Sequence, residues 1–316
     1  FESNVRDYQG KTNVNNDIQK TLESESGEEF WWLNNGVTIV ASYASAPGGK
    51  ELVIHNPEIV NGLQTSSEIY NYFSQNLHKL KTETRNLLVR IIVPESEETR
   101  DKIIRATNSQ TPIPKSSLRA TDPIHRYIET FMKPRGLYYD RRKNYYKNEG
   151  KKPKEIISVS FLAQCLMSVL MQKPDFARAR PSTLLEDNTA YKKLYHKNND
   201  LKTYYFLAYA GRSVEIFLKE SGKFSSSEIN DIKFYVLYVV CARLVGSLFP
   251  NNKSISELEP SVLNERIIDE STDFVYKYYK SLGGDEKVAK GSKLIEIIKE
   301  KLAEIIKDEQ IELVKQ

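Results

Sequence analysis

Two asparagine-glycine turns, each set against an apolar run rich in β-branched residues, constrain this fold more than any other feature of the sequence. They are the Asn-Asn-Gly of residues 34–36 and the Asn-Gly-Leu-Gln-Thr of residues 61–65. The second turn opens a stretch in which Ile69, Tyr72 and Phe73 recur at helical spacing. A strand that ends in a glycine turn and feeds a helix brings the N–H groups of the helix start to the surface, which suits an anion such as a phosphate.

The second turn has a functional and a structural interpretation. In the functional one, the N–H groups of residues 63–65 meet an anion, and the side chains of Gln64 and Thr65 add hydrogen bonds. In the structural one, Asn61-Gly62 is only a strand-to-helix turn that needs a positive φ, and Thr65 or Ser66 caps the helix. The residues alone leave both open.

Length and hydropathy set the class of protein. The chain has 316 residues, enough for one large or two ordinary domains, and 40% of them are hydrophobic. No apolar run approaches the roughly 20 residues of a membrane span. The longest, 234–249, is broken by Arg243 and Gly246 and predicts a buried helix. The sequence begins with Phe1 and no signal-peptide pattern follows, so we expect part of a longer protein or a trimmed one.

Cysteines and histidines give no sign of a metal or cofactor site. Cys165 and Cys241 lie inside apolar helical patterns, and we expect buried thiols in a reduced, cytoplasmic protein. The four histidines are scattered, without cysteine or carboxylate at ligand spacing. We therefore expect no metal site and no evident cofactor.

The first part of the chain mixes strand and helix signals. Residues 30–43, 51–60 and 87–93 read as strands, and the first two are separated by a Pro-Gly-Gly turn. One helix follows the turn at residues 61–65. Another starts at Ser96 with an acidic first turn and ends near Asn108. The order β-β-α-β-α predicts an α+β module over residues 1–120.

The remainder of the chain, residues 121–316, is predicted to be a mostly α-helical domain. Asp122-Pro123 opens its first helix. Beyond a basic segment, five long stretches have helical period: 158–172, 204–219, 226–249, 261–282 and 288–307. The last stretch belongs to a long amphipathic helix, which mediates oligomers in the alternative in which the protein is a scaffold.

A basic, tyrosine-rich segment at residues 133–154 is the clearest electrostatic feature. Cations for phosphates and rings for bases are what a nucleic-acid surface needs. The predicted nucleic-acid contacts are Arg135, Tyr139, Arg141, Arg142, Lys143, Tyr146 and Lys147. The alternative is a solvated basic loop whose tyrosines pack on the neighbouring domain.

Adjacent tryptophans precede the first turn. On a strand, successive side chains face opposite sides, so we expect one of Trp31 and Trp32 in the core and the other free to stack on a base or partner. The alternative, slightly favoured, is a plain β-turn with two aromatic edges.

A weak catalytic pattern lies in the basic segment. Asp140, Glu149 and Lys151 imitate the Asp…Glu-x-Lys order of nucleases, in which two carboxylates hold Mg²⁺ and the lysine supports the attacking water. The intervening Gly150 favours a loop over the hairpin that such sites use, and short matches are common by chance. Mg²⁺ is expected only if this alternative holds.

Several short motifs together resemble the AIPR family, named for abortive infection phage resistance. They are the Asn-Val-Arg of residues 4–6, Gly10, the Val-Asn-Asn-Asp-Ile of residues 14–18 and the two asparagine-glycine turns. Their order and spacing match the family pattern over roughly residues 1–150. The resemblance implies a bacterial anti-phage role. Members often carry a further N-terminal region similar to a restriction-type nuclease, so cleavage would come from such a region or from a partner.

A more distant resemblance links the strand-turn-helix core to DGQHR-type domains and, through them, to ParB-like folds. It rests on residues 59–62, the strand at 87–93 and residues 106–112, and it implies that the glycine turn binds nucleotide or nucleic-acid phosphate. The implied ligand or phosphate contacts are Asn34, Asn35, Gly36, Asn61, Gly62, Gln64, Thr65 and Asn108. Here the histidine and arginine of the Asp-Gly-Gln-His-Arg turn are absent, which argues against nucleotide hydrolysis.

The sequence thus favours a recognition module whose turns and basic segment form two walls around a nucleic acid or nucleotide. Two other classes stay open. One is a metal-dependent nuclease with its own site, and the other is a scaffold that forms homo-oligomers through the helical domain.

Overall fold

The chain folds into two compact units, each with its own core. The computed structural model describes residues 8, 10, 12–24, 28–108, 119–120, 122–180, 185 and 187–314, with the backbone alone for 105, 108 and 310–314. The first unit lies within residues 1–121 and 141–150, and the second within 122–140 and 151–316.

The described part of the first unit mixes short strands with helices. Its elements are α1 (Asn13–Glu23), β1 (Val37–Val40), β2 (Tyr43–Ser45), β3 (Val53–His55), β4 (Glu58–Asn61), α2 (Leu63–Gln75), β5 (Val89–Ile92) and α3 (Glu97–Asn108). Strand β1 is central, antiparallel to β4 and parallel to β5, and β2 and β3 form a separate antiparallel pair.

Two small apolar clusters hold the helices of this unit. Ile18 and Leu22 of α1 pack with Phe30, and Ile69 and Tyr72 of α2 join them. The second cluster unites Val40, Val60 and Ile104 from β1, β4 and α3. The first cluster thus packs α1 on α2, and the second packs α3 on the sheet.

The predicted α+β class is confirmed, but helix α1 was not predicted, and the two long strands predicted over 30–43 and 51–60 are wrong in extent. Residues 30–32 form a 3-10 turn, and the chain becomes extended only at Val37. Gly36 has φ +65°, which an extended strand does not allow. The second run is divided by Asn56, whose φ of +49° separates β3 from β4.

The second unit is predominantly helical, as predicted. Its described elements, with the short α5 of the first unit, are α4 (Pro123–Met132), β6 (Tyr138–Asp140), α5 (Tyr145–Asn148), β7 (Ile156–Ser158), α6 (Val159–Leu170), α7 (Pro174–Ala179), α8 (Asn188–Leu194), α9 (Leu201–Glu220), α10 (Ser226–Val245), α11 (Asn252–Ser256), α12 (Glu265–Ser281), α13 (Glu286–Lys290) and α14 (Ser292–Val314).

Helix α10 forms the centre of this unit, in agreement with the predicted buried helix. Its residues from Phe234 to Ala242 are buried on all sides, and a capping box between Ser225 and Glu228 begins it. Cys241 is a buried thiol, as is Cys165 on α6. Strands β6 and β7 form a short parallel pair that the sequence analysis did not predict.

Candidate functional site

The two asparagine-glycine turns meet in space. Because β1 and β4 are antiparallel, the turn before β1 lies beside the turn after β4. Gly62 has φ +100°, and a Cβ there would lie 2.5 Å from the carbonyl oxygen of Gly36. A Cβ on Gly36 would lie 2.1 Å from the carbonyl oxygen of Leu88. Both positions need glycine, because the backbones approach too closely for any side chain.

The asparagine side chains hold the turns in shape. The Oδ1 of Asn34 accepts from the N–H of Gly36 at 2.8 Å, and the Oδ1 of Asn61 accepts from the N–H of Gly62 at 2.7 Å. The Nδ2 of Asn61 donates to the carbonyl of Thr107, 2.8 Å away, and so ties β4 to the end of α3. Asn35 is exposed. The side chain of Asn108 lies outside the described part of the chain.

Helix α2 begins at this junction. Gly62 is its left-handed N-cap, without a capping side chain, and the N–H of Ser66 donates to the carbonyl of Gly62 at 2.9 Å. The predicted cap by Thr65 or Ser66 is therefore wrong. The N–H groups of residues 63–65 precede the helical ladder, where the helix dipole attracts anions. Thr65 is only 6% exposed, so its side chain faces the interior.

Three polar residues that the sequence analysis did not assign to the site surround the start of α2. The Nδ2 of Asn15 donates to the Oε1 of Gln64 at 3.0 Å and to the carbonyl of Gly10 at 2.6 Å. The hydroxyl of Tyr8 donates to Glu68 at 2.6 Å. Asn15 belongs to the motif at residues 14–18, so the sequence held a signal that could have assigned it to the site. No local sequence pattern indicates Tyr8 or Glu68.

Part of the basic segment joins this cluster. The Nδ2 of Asn148 donates to the carbonyl of Tyr8 at 2.9 Å, so Tyr8 links α2 with residues 141–150 of the same unit. Lys143 and Lys147 are exposed there. The guanidinium of Arg142 stacks 3.8 Å from the ring centroid of Tyr145.

Other predicted nucleic-acid contacts are buried. Tyr139 is fully buried and Tyr146 is 2% exposed, so neither ring is at the surface for stacking on a base. Arg141 is 9% exposed. Arg135, in the second unit, is exposed and stacks 3.7 Å from the ring centroid of Phe131. Tyr139, predicted to stack on a base, instead packs in the interior, where its hydroxyl is 2.7 Å from Nδ1 of His125.

The tryptophan prediction is wrong, because neither ring is in the core. Trp31 is 40% exposed and Trp32 is 62% exposed, and Phe30 is the buried aromatic. The 3-10 turn replaces the strict alternation of a strand, so both rings remain at the surface, 5.8 Å apart at their centroids.

The weak catalytic set is divided between the two units. Asp140 ends β6 and Lys151 stacks 4.7 Å from the ring centroid of Tyr138, both in the second unit. Glu149 is in the first unit, where its hydrogen bond to Tyr145 raises the pKa of that phenol. Across the described ranges, no three His, Cys, Asp or Glu side chains are grouped as metal ligands would be.

The fold and the turn pair define an α+β protein with a glycine-built junction and a helical second unit. The chain belongs to the AIPR family, whose model, described as AIPR protein, matches residues 1–307. The family name indicates abortive infection and anti-phage defence. Comparisons with curated proteins and with solved structures gave no match. None of the helices in the described ranges is long and apolar enough to span a membrane.

Proposed function

We propose that the first unit recognises a nucleic acid or nucleotide through its phosphate, as the binding part of an anti-phage defence protein. The observation that carries the proposal is the contact between the two turns. It positions Gly36 against Gly62, at the start of α2, where the N–H groups of Leu63 and Thr65 precede the first helical hydrogen bond, from Ser66 to Gly62. A rigid junction with such amides is suited to a phosphate oxygen.

Lys143 and Lys147 supply the second wall of the proposed site. They belong to the same unit, are exposed, and lie on the segment that Asn148 ties to Tyr8. Two exposed cations beside a phosphate-binding turn would extend the site along a strand backbone. The β4-turn-α2-β5-α3 order supports, within this proposal, the resemblance to ParB-like domains.

Cleavage, in this proposal, comes from a nuclease region or partner. The turn at residues 61–65 lacks a histidine or arginine for hydrolysis. Two alternatives are distinguished by activity. Mg²⁺-dependent cleavage by this chain, abolished by Glu149→Ala, would support a nuclease. Neither binding nor cleavage, with a stable oligomer in light scattering, would support a scaffold.

Fluorescence anisotropy with labelled single-stranded DNA and RNA, across a salt series, tests the proposal. Replacing Lys143 and Lys147 with alanine removes two exposed cations. We expect weaker binding and a salt slope reduced by about 0.7 for each lost phosphate contact.

The matched control replaces Lys287 and Lys293, two exposed lysines of the second unit, with alanine. This variant keeps the same net charge as the test variant, so general attraction is equal in both. If the two variants bind equally well, residues 141–150 are not part of the binding surface.

A further inference from the structure

The side-chain amide of Asn15 has hydrogen-bond partners at its nitrogen and none at its oxygen. It is 2% exposed, and its Nδ2 donates to Gly10 and to Gln64 of α2. These two acceptors fix the orientation of the amide. The Oδ1 is buried and accepts no hydrogen bond. A buried acceptor without a donor has lost its hydrogen bond to water without replacement, so it calls for an explanation.

Glu68 is a second acceptor beside the start of α2. It lies four residues after Gln64, and thus on the same face of the helix. Its side chain is buried, at 5% exposed, and the partner within the described ranges is the neutral hydroxyl of Tyr8. A buried carboxylate normally pairs with a cation or with several donors. Asn15 and Glu68 therefore both favour a ligand that donates hydrogen bonds.

We propose that the start of α2 binds a nucleotide unit as a whole, with its phosphate on the amides of Leu63 and Thr65 and a sugar hydroxyl or base amino group donating to Asn15 Oδ1. Glu68 is the second acceptor for such donors. This inference rests on the proposed function and specifies its ligand. A bare anion such as sulfate satisfies the helix start but leaves Asn15 Oδ1 unpaired, because sulfate carries no proton at neutral pH.

Isothermal titration calorimetry of the whole chain with sulfate and with each of the four ribonucleoside 5′-monophosphates tests this inference. In the wild type we expect at least one nucleotide to bind tenfold or more tightly than sulfate, and this comparison needs no variant. Asn15→Ala should weaken that nucleotide by about tenfold and leave sulfate affinity unchanged.

The control is Asn16→Ala, which removes the same side chain from the exposed neighbouring position on α1. It should change neither affinity. Displacement of the nucleotide by a single-stranded oligonucleotide would assign the bound unit to a strand. Failure to displace it would assign a free nucleotide, and both results support the inference.

Equal affinity for sulfate and for all four nucleotides would overturn the inference and leave the proposed anion site standing. Equal weakening of both ligands by Asn15→Ala would do the same. If neither sulfate nor any nucleotide binds, both the inference and the proposed function fail.

Discussion

Gly62 is the residue on which the geometry of the candidate site depends most. Its positive φ turns β4 into α2, and its lack of a side chain lets the two turns touch. The same residue is both the N-cap of α2 and the contact with Gly36. A change at this position should therefore alter stability and binding together.

Gly62→Ala should destabilise the first unit more than an alanine at Gly48, a positive-φ glycine with no neighbour near an added Cβ. An alanine in the left-handed region costs about 1–2 kcal/mol. At Gly62 the new Cβ also meets backbone atoms of Gly36 and Val37 within 3 Å, which should add about 1–3 kcal/mol. Urea unfolding measures the difference.

Gly48→Ala is the matched control, because Gly48 has φ +73° and nothing within 4 Å of an added Cβ. It shares the conformational cost and lacks the clash. Equal losses of unfolding free energy in the two variants would contradict the close approach of the turns.

At the scale of elements, the long helices with an apolar period were predicted, whereas the short helix α1 and the strand pair of β6 and β7 were not. Helix α3 begins where Ser96 accepts from the N–H of Thr99, at 3.2 Å, a cap visible in the sequence. Strand β6 pairs with β7. The strand β6 lies in the basic segment, where the many charged residues gave no strand pattern. Its central residue Tyr139 is fully buried, which local polarity does not predict.

The candidate site also has features that the sequence displays and contacts that it does not. Its two turns carry glycine signatures that the sequence displays, and the contact between them follows from the antiparallel pairing of β1 and β4. Asn15 is 49 residues from its partner Gln64, and Tyr8 is 60 residues from Glu68. Nothing in a local pattern encodes partners at that separation.

Helices α9 and α10 are joined by a partly buried ionic group with a predictable pH dependence. Glu215 of α9 pairs with Arg212 and, at 3.3 Å, with Lys233 of α10. Burial works to raise the pKa of Glu215, but the charges of Lys233 and Arg212 outweigh it and hold the pKa below its usual value. The carboxylate therefore stabilises the fold above its unfolded pKa, and this contribution is lost as the pH falls through the lower folded value.

Glu215→Gln should lower the Tm at pH 7 by roughly 2–8 °C, corresponding to about 1–2 kcal/mol. The difference from the wild type should shrink as the pH falls below the usual glutamate pKa, because the wild-type carboxyl then takes up a proton as well. Thermal unfolding at several pH values measures this trend. Glu220→Gln, at an exposed position at the end of the same helix, is the control. A difference that stays constant over the whole acid range in which the protein remains folded would contradict the assignment.

At the scale of the whole molecule, the family match spans both units, whereas the proposed site lies in the first. The second unit has a large helical core around α10. The central claim is that phosphate binding is localised at the junction of the two turns. It can be tested separately from any cleavage activity of the protein.

Selective ¹⁵N-glycine labelling gives the most direct test, because the chain has 14 glycines and two of them form the junction. Amide spectra recorded during titration with a single-stranded oligonucleotide would locate the binding site. The account predicts that the signals of Gly36 and Gly62 shift, while those of Gly222 and Gly246 in the second unit do not. Saturable binding that leaves Gly36 and Gly62 unchanged would contradict it.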